Sequence, residues 1–139
     1  MSSDKELQSL FNDKSRAIAK SNWKEAAELC NFLGNKLCER GRLDAALAEH
    51  EEELRLCQQM KDEAGCALAH RCLGEVYSQM QDYKKALRSL KVFLQMSEKR
   101  KDMVEMQRAW ATIGRAYLMK DDLNHAETAF TMALKLADK

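Results

Sequence analysis

The sequence predicts an all-α protein built from a helical repeat of 40 residues. Three observations lead to this prediction: the 139-residue chain has no proline, it has only five glycines, and residue types recur at a spacing of 40 positions. An all-β sandwich or barrel would require many more turn residues. Hydrophobic residues make up 45% of the chain, which is enough to build a core and unlike a disordered segment.

Two small residue types mark the repeat. Glycine follows Leu or Ile at three positions, and alanine recurs twelve positions later; the residues are Gly34, Gly74, Gly114, Ala46, Ala86 and Ala126. Glycine in a helix interior costs about 1 kcal/mol relative to alanine. We therefore expect the glycines to lie where two helices approach closely, with the alanines as the small residues opposite.

The elements follow in order from the apolar periodicity. A first helix is predicted at about residues 4–20, where Leu7, Leu10 and Ala17 belong to an apolar stripe. Each repeat then supplies a helix A, at about 22–40, 63–80 and 103–120, and a helix B, at about 43–60, 83–100 and 123–137. Side chains that suit helix N-termini support these limits, namely Asn22, Asp62, Asp82, Asp102 and Asp122. Gly41 suits a left-handed position after a helix.

These helices predict a single repeat domain over residues 1–139. It consists of a capping helix at 4–20 and repeats at 22–60, 62–100 and 102–139. The last helix ends without a following cap, so we expect a partly open apolar face there, with Met119 and Met132 as candidates and weak self-association as its consequence.

The repeat resembles the tetratricopeptide repeat. The similarity is close from Gly74 to Tyr77 followed by Asp82 to Leu87, and again from Gly114 to Tyr117. This resemblance implies a right-handed superhelical array of antiparallel helix pairs whose surfaces bind other proteins.

A narrower resemblance lies within the same helices. The segments Gly65 to Arg71 and Gln107 to Arg115 are similar to the N-terminal repeats of the Tonsoku-like family. That family consists of nuclear scaffolds that act at replication forks and in homologous recombination. The resemblance implies a nuclear scaffold, a fragment of a longer protein, with the Mms-twenty-two-like scaffold, histone chaperones or replication-fork proteins as partners. Cell-polarity and spindle-orientation scaffolds have partly similar repeats and remain the alternative.

Family resemblance also indicates a partner-binding groove on the helix A surface. Residues just before and after each glycine face the concave side in such repeats. They are Asn31, Asn35, Arg71, Glu75, Arg108 and Arg115, with Glu28, Leu68 and Ala111 beside them. Asn and Arg can bind a peptide backbone or a carboxylate, so an acidic peptide is one expected ligand. The alternative is that the arginines pair with neighbouring acids, as Arg71 would with Glu75.

Charge is distributed unevenly along the helices B. Residues 84–101 hold seven bases against one acid, whereas residues 44–63 hold seven acids against two bases. The basic helix predicts a convex patch of Lys84, Lys85, Arg88 and Lys91 that would meet an acidic partner or nucleic acid. A net charge of +1 for the whole chain argues against nucleic acid. Glu51 to Glu53 are expected on a solvated face.

Catalytic motifs are missing from the sequence. It contains no GxSxG, HExxH, CxxC, P-loop or GxGxxG pattern. Cys66 and His70 lie one helical turn apart, but no second pair completes a metal site. We therefore predict no enzyme, no cofactor and no metal. No apolar run reaches the ~18 residues of a membrane span, and no signal peptide is visible.

Overall fold

The computed structural model describes the backbone of residues 2–138 and the side chains of residues 4–138. The predicted domain limits at residues 1 and 139 lie outside this range. Over the described residues the chain forms seven α-helices and no strand: α1 (Ser2–Ala19), α2 (Trp23–Glu39), α3 (Leu43–Met60), α4 (Glu63–Gln79), α5 (Tyr83–Lys99), α6 (Met103–Met119) and α7 (Leu123–Ala137). The all-α prediction is confirmed. No helix within the described residues is long and apolar enough to cross a membrane.

Consecutive helices are joined by one type of turn, which recurs every 20 residues. Its central residue has a positive φ; these residues are Ser21, Gly41, Lys61, Gln81, Lys101 and Asp121. At the second turn, the Arg42 N–H donates to the Leu37 carbonyl at 2.9 Å and the Gly41 N–H to the Cys38 carbonyl at 3.0 Å. These two bonds satisfy carbonyls that the end of α2 leaves without helical partners. Only Gly41 was predicted in this conformation, because the other five residues are not glycine.

The predicted N-terminal caps are confirmed. In each case a side-chain oxygen accepts the backbone N–H three residues ahead, at distances of 3.0–3.3 Å; the caps are Asn22, Asp62, Asp82, Asp102 and Asp122. Because each cap directly follows a left-handed turn residue, two or three residues suffice to end one helix and begin the next. Such short connections make neighbouring helices antiparallel.

The chain divides into two compact units, Met1–Ala69 and His70–Lys139. In the first unit α2 packs against α1 and α3, and in the second α6 packs against α5 and α7. Leu33 and Leu37 are fully buried in the first unit, as are Leu90 and Phe93 in the second. The boundary falls inside α4, so the units do not coincide with the predicted repeats.

All three repeat glycines lie in contacts between helices, but the predicted alanines are not the side chains that face them. The facing side chains are His50 for Gly34, Leu90 for Gly74 and Phe130 for Gly114. Each lies one turn beyond the buried alanine of its helix. Helical side chains lean towards the N-terminus of their helix, so the residue one turn further along covers the glycine. Ala86 contributes only its carbonyl oxygen, 3.3 Å from a Cβ placed on Gly74.

Candidate partner-binding surfaces

The first unit contains a cavity of about 220 Å³ that is lined by residues of α2, α3 and the beginning of α4. Its lining consists of Lys24, Ala27, Glu28, Asn31, Glu53, Cys57, Met60, Asp62, Gly65 and Leu68. The predicted groove residue Asn31 and its neighbours Glu28 and Leu68 therefore border one cavity. Three acids against one lysine make this cavity negatively charged, which does not suit the acidic peptide that the sequence suggested.

A hydrogen-bond network holds the side chains of Asn31 and Glu53, which line this cavity. Asn31 Nδ2 donates to both carboxylate oxygens of Glu53, at 3.1 and 3.3 Å, and His50 Nδ1 lies 2.9 Å from Glu53 Oε1. Asn35 Nδ2 donates in turn to Asn31 Oδ1 at 3.2 Å. Glu53 is only 2% exposed, so the prediction that it lies on a solvated face is wrong.

The position of Glu53 in the repeat explains its burial. Forty residues further along the chain stands Phe93, which is fully buried. Aligning the repeats would have placed Glu53 in the core, since equivalent positions of a repeat share their environment. A buried carboxylate requires hydrogen-bond partners, and Asn31 and His50 supply them.

A second polar cluster in the first unit was not predicted. Lys14 Nζ lies 2.8 Å from Glu49 Oε1 and 3.3 Å from Glu52 Oε1, and the Cys30 thiol donates to Glu52 at 3.4 Å. Burial alone would lower the pKa of Lys14, but the hydrogen bond and the charge of Glu49 raise it above its ordinary value. Burial, with Glu52 nearby, raises the pKa of the Cys30 thiol.

This cluster has a structural role. Cys30, Glu49 and Glu52 bring their ligand atoms within 4.8 Å of one another, as metal ligands do. The ammonium group of Lys14 already supplies a positive charge to the two carboxylates. The cluster therefore links α1 to α3 through an internal ion pair.

The second unit has a cavity of about 280 Å³ between α4 and α6. It brings together two predicted groove residues, Glu75 and Arg115; its other lining residues are Ser78, Gln79, Thr112, Ala116 and Met119. Arg115 Nη2 donates to Thr112 Oγ1 at 3.2 Å, which holds the guanidinium against the cavity wall.

The other two predicted arginines do not line this cavity. Arg108 Nη1 lies 2.7 Å from Glu105 Oε1, within the first turns of α6. Arg71 Nε lies 4.0 Å from Glu75 Oε1, which is the alternative pairing that the sequence predicts. Arg71 and Arg108 each lie beside an acid of their own helix, whereas Arg115 lines the cavity.

The predicted basic patch divides into two parts. Lys84, Arg88 and Lys91 line one open cavity of about 610 Å³. Lys85 lies elsewhere, with its Nζ 3.8 Å from Asp82 Oδ2 and 5.8 Å from the centre of the Tyr77 ring. Lys84 and Lys91 are seven positions apart and share a helix face, whereas Lys85 lies about 100° around the helix from Lys84.

Comparison with known proteins identifies sequence relatives. No family model matches the chain. The chain is 37% identical over 146 residues to the Tonsoku-like protein of Mus musculus and 38% identical over 146 residues to that of Bos taurus, with all of the chain covered in both. It is 33% identical over 128 residues to the Drosophila melanogaster protein. The chain spans about 11% of the length of the mouse and cattle proteins.

Solved structures match the fold. BtubC from P. vanneervenii superposes with a TM-score of 0.86 over 98% of this chain and 57% of its own, at 17% identity. The TPR domain of Arabidopsis FLU superposes with a TM-score of 0.77 over 84% of this chain and 98% of its own, at 20% identity. The predicted resemblances are confirmed: the chain is a helical repeat of the tetratricopeptide type, and its whole length is similar in sequence to a segment of the Tonsoku-like proteins.

Proposed function

We propose that this chain is a protein-interaction segment of a nuclear scaffold that acts in replication-fork and recombination-linked genome maintenance. The similarity to Tonsoku-like proteins supports the setting, and the helical repeat supports protein binding. The proposed partners are the Mms-twenty-two-like scaffold, histone chaperones and replication-fork proteins. We propose no catalytic activity and no cofactor.

The observation that carries this proposal is the set of hydrogen-bonded polar side chains lining two cavities, the one of about 220 Å³ in the first unit and the one of about 280 Å³ between α4 and α6, which we call the helix A cavities. In the first unit, Glu53 holds Asn31, and Asn31 holds Asn35 at the exposed surface. Asn35 can donate to and accept from a peptide backbone. Because these side chains are already ordered, binding costs less conformational entropy than it would on a surface of free side chains.

The charges of the two cavities indicate what each would bind. The acidic lining of the first cavity favours a partner segment with basic or amide side chains. In the second cavity, Glu75 and Arg115 offer one charge of each sign. We propose that partner segments of mixed charge, rather than purely acidic ones, are recognised on the helix A surface.

The proposal is tested with the 139-residue chain and purified partner proteins in a direct binding assay. Glu28→Lys and Glu75→Lys change exposed cavity residues and should each weaken binding of a true partner about tenfold, as reversal of an interface charge does. Glu127→Lys is the matched control, because Glu127 is exposed on α7 and lines neither cavity. Circular dichroism verifies that all three variants keep their helices.

Two results would contradict the proposal. One is that none of the Mms-twenty-two-like, histone-chaperone or fork proteins binds the chain. The other is that Glu28→Lys and Glu75→Lys bind as tightly as Glu127→Lys, which would exclude the helix A cavities as the binding surface.

A further inference from the structure

We infer that a groove in the second unit, lined by α5, α6 and α7, docks an acidic amphipathic helix of a partner protein. This surface is separate from the helix A cavities, so the inference does not depend on the function proposed above. It rests on the shape of the groove, its aromatic floor and the charge of its rim.

The groove is continuous along α5. A cavity of about 420 Å³ adjoins the basic cavity of about 610 Å³, and the two share Lys91, Tyr117 and His125. Residues from Lys84 to Glu98 border it on α5. At 1.5 Å per residue this stretch is roughly 21 Å long, the length of about four helical turns.

The floor of the groove is aromatic. Trp110 and Tyr117, both from α6, line it and are half-buried. Tyr117 stacks on His125 with ring centres 5.0 Å apart, and His125 Nδ1 lies 2.8 Å from Asp122 Oδ2. Partly exposed aromatic rings held in place are the side chains that most often dominate binding energy at interfaces.

The rim of the groove is basic. Lys84, Arg88, Lys91 and Lys120 are all exposed there. Within the described part of the chain, no ion pair engages the first three, in contrast to Lys85. Two acids also line the groove: Glu98 at the end of its α5 wall, and Asp122, whose pKa is lowered by the hydrogen bonds that it accepts from the ring and the backbone N–H of His125. The rim therefore has positive charge available for carboxylates of a partner.

Together the two features select one kind of partner. A helix with apolar side chains on one face and Asp or Glu beside them would use both the aromatic floor and the basic rim. A nucleic acid backbone would use the rim alone. A groove about four turns long also matches a single short helix better than a folded domain surface.

The test uses the full chain carrying Trp23→Phe, so that Trp110 is the remaining one of the two tryptophans. The probe is a 15-residue helical peptide of Leu, Ala and Glu with the leucines on one face. Trp110 emission should shift to shorter wavelength on binding. A scrambled peptide of the same composition should bind at least ~10-fold more weakly, since it has no apolar face.

Variants locate the site. Arg88→Glu combined with Lys91→Glu should weaken peptide binding about tenfold or more, because like charges then face each other. Lys99→Glu combined with Lys101→Glu applies the same charge change beyond the groove and should alter affinity less than about twofold. Thr128→Glu, on the α7 wall, should also weaken binding.

Several outcomes would overturn the inference. One is that the amphipathic peptide does not bind at about 1 mM, and another is that the scrambled peptide binds equally well. A third is that the two double variants lose the same amount of affinity. A fourth is that duplex DNA of 20 base pairs binds more tightly than the peptide. Binding by charge alone would appear as loss of affinity in salt with no shift of Trp110 emission.

Discussion

The substitution Gly34→Ala tests the contact between Gly34 and His50, which the structure shows in place of the predicted contact between Gly34 and Ala46. A Cβ at this position would lie 2.5 Å from Nε2, 2.6 Å from Cε1 and 2.8 Å from Cδ2 of His50. Three ring atoms are therefore too close, so a small rotation cannot relieve the overlap. His50 is fully buried and its Nδ1 lies 2.9 Å from Glu53. The ring can move away from the new methyl group only by giving up that hydrogen bond.

The expected loss of stability follows from three contributions. Overpacking a core contact costs about 1–3 kcal/mol. Separating His50 from Glu53 leaves the buried Nδ1 of His50 without its partner, at about 1–3 kcal/mol, whereas Glu53 keeps its hydrogen bonds from Asn31. Alanine gains about 1 kcal/mol over glycine in helix propensity. The free energy of unfolding should therefore fall by about 3 kcal/mol in Gly34→Ala.

Gly74→Ala is the matched comparison. A Cβ there would lie 2.5 Å from Leu90 Cδ2, 2.6 Å from Leu90 Cγ and 3.3 Å from the Ala86 carbonyl oxygen. Leu90 is apolar, so its side chain breaks no hydrogen bond when it moves. Only the overpacking and helix-propensity contributions remain, so the loss should be about 1 kcal/mol.

Urea unfolding followed by circular dichroism and tryptophan emission measures both changes. Trp23 reports on the first unit and Trp110 on the second, so each variant should shift mainly the transition of its own unit. In a His50→Ala background, Gly34→Ala should become neutral or stabilising, because the overlapping ring is gone. An equal loss in both backgrounds, or a wild-type-like midpoint for Gly34→Ala, would refute the assigned contact.

Other predictions concern the turns, the thiols and α7. Gln81 has a φ of 65° and Gly41 one of 74°, a conformation that glycine adopts at less cost than other residues. Gln81→Gly should therefore raise the free energy of unfolding by about 0.5–1 kcal/mol, and Gly41→Ala should lower it by a similar amount. Urea midpoints measure both changes. Burial raises the pKa of Cys57 from 9.0 to about 12. As the pH rises, the thiol of the unfolded chain therefore loses its proton before that of the folded chain, and the free energy of unfolding should fall above pH 9. Cys57→Ala should lessen that fall in melts measured at several pH values. Leu123 and Leu134 are 61% and 68% exposed, so sedimentation should reveal weak self-association that Leu134→Lys removes; a sedimentation coefficient independent of concentration would contradict this.

Much of the fold is determined by interactions between residues close in sequence. The helix limits could be predicted because apolar periodicity, the caps such as Asp82 and the absence of proline all act within about four residues. The glycines could be assigned to helix contacts because their cost recurs at a fixed period. Five of the six left-handed turn residues could not be predicted, since a residue such as Lys61 has no side-chain preference for that conformation.

The candidate surfaces depended on tertiary structure. Asn31 meets Glu53 across 22 positions and Lys14 meets Glu49 across 35, and such pairs are set by how helices cross rather than by local sequence. Helix packing in the second unit likewise leaves Trp110 at the floor of a groove. Local sequence patterns are enough to locate the helices and to identify candidate binding residues. Which side chains are buried with a partner and which remain available depends on contacts between helices that are distant in the chain.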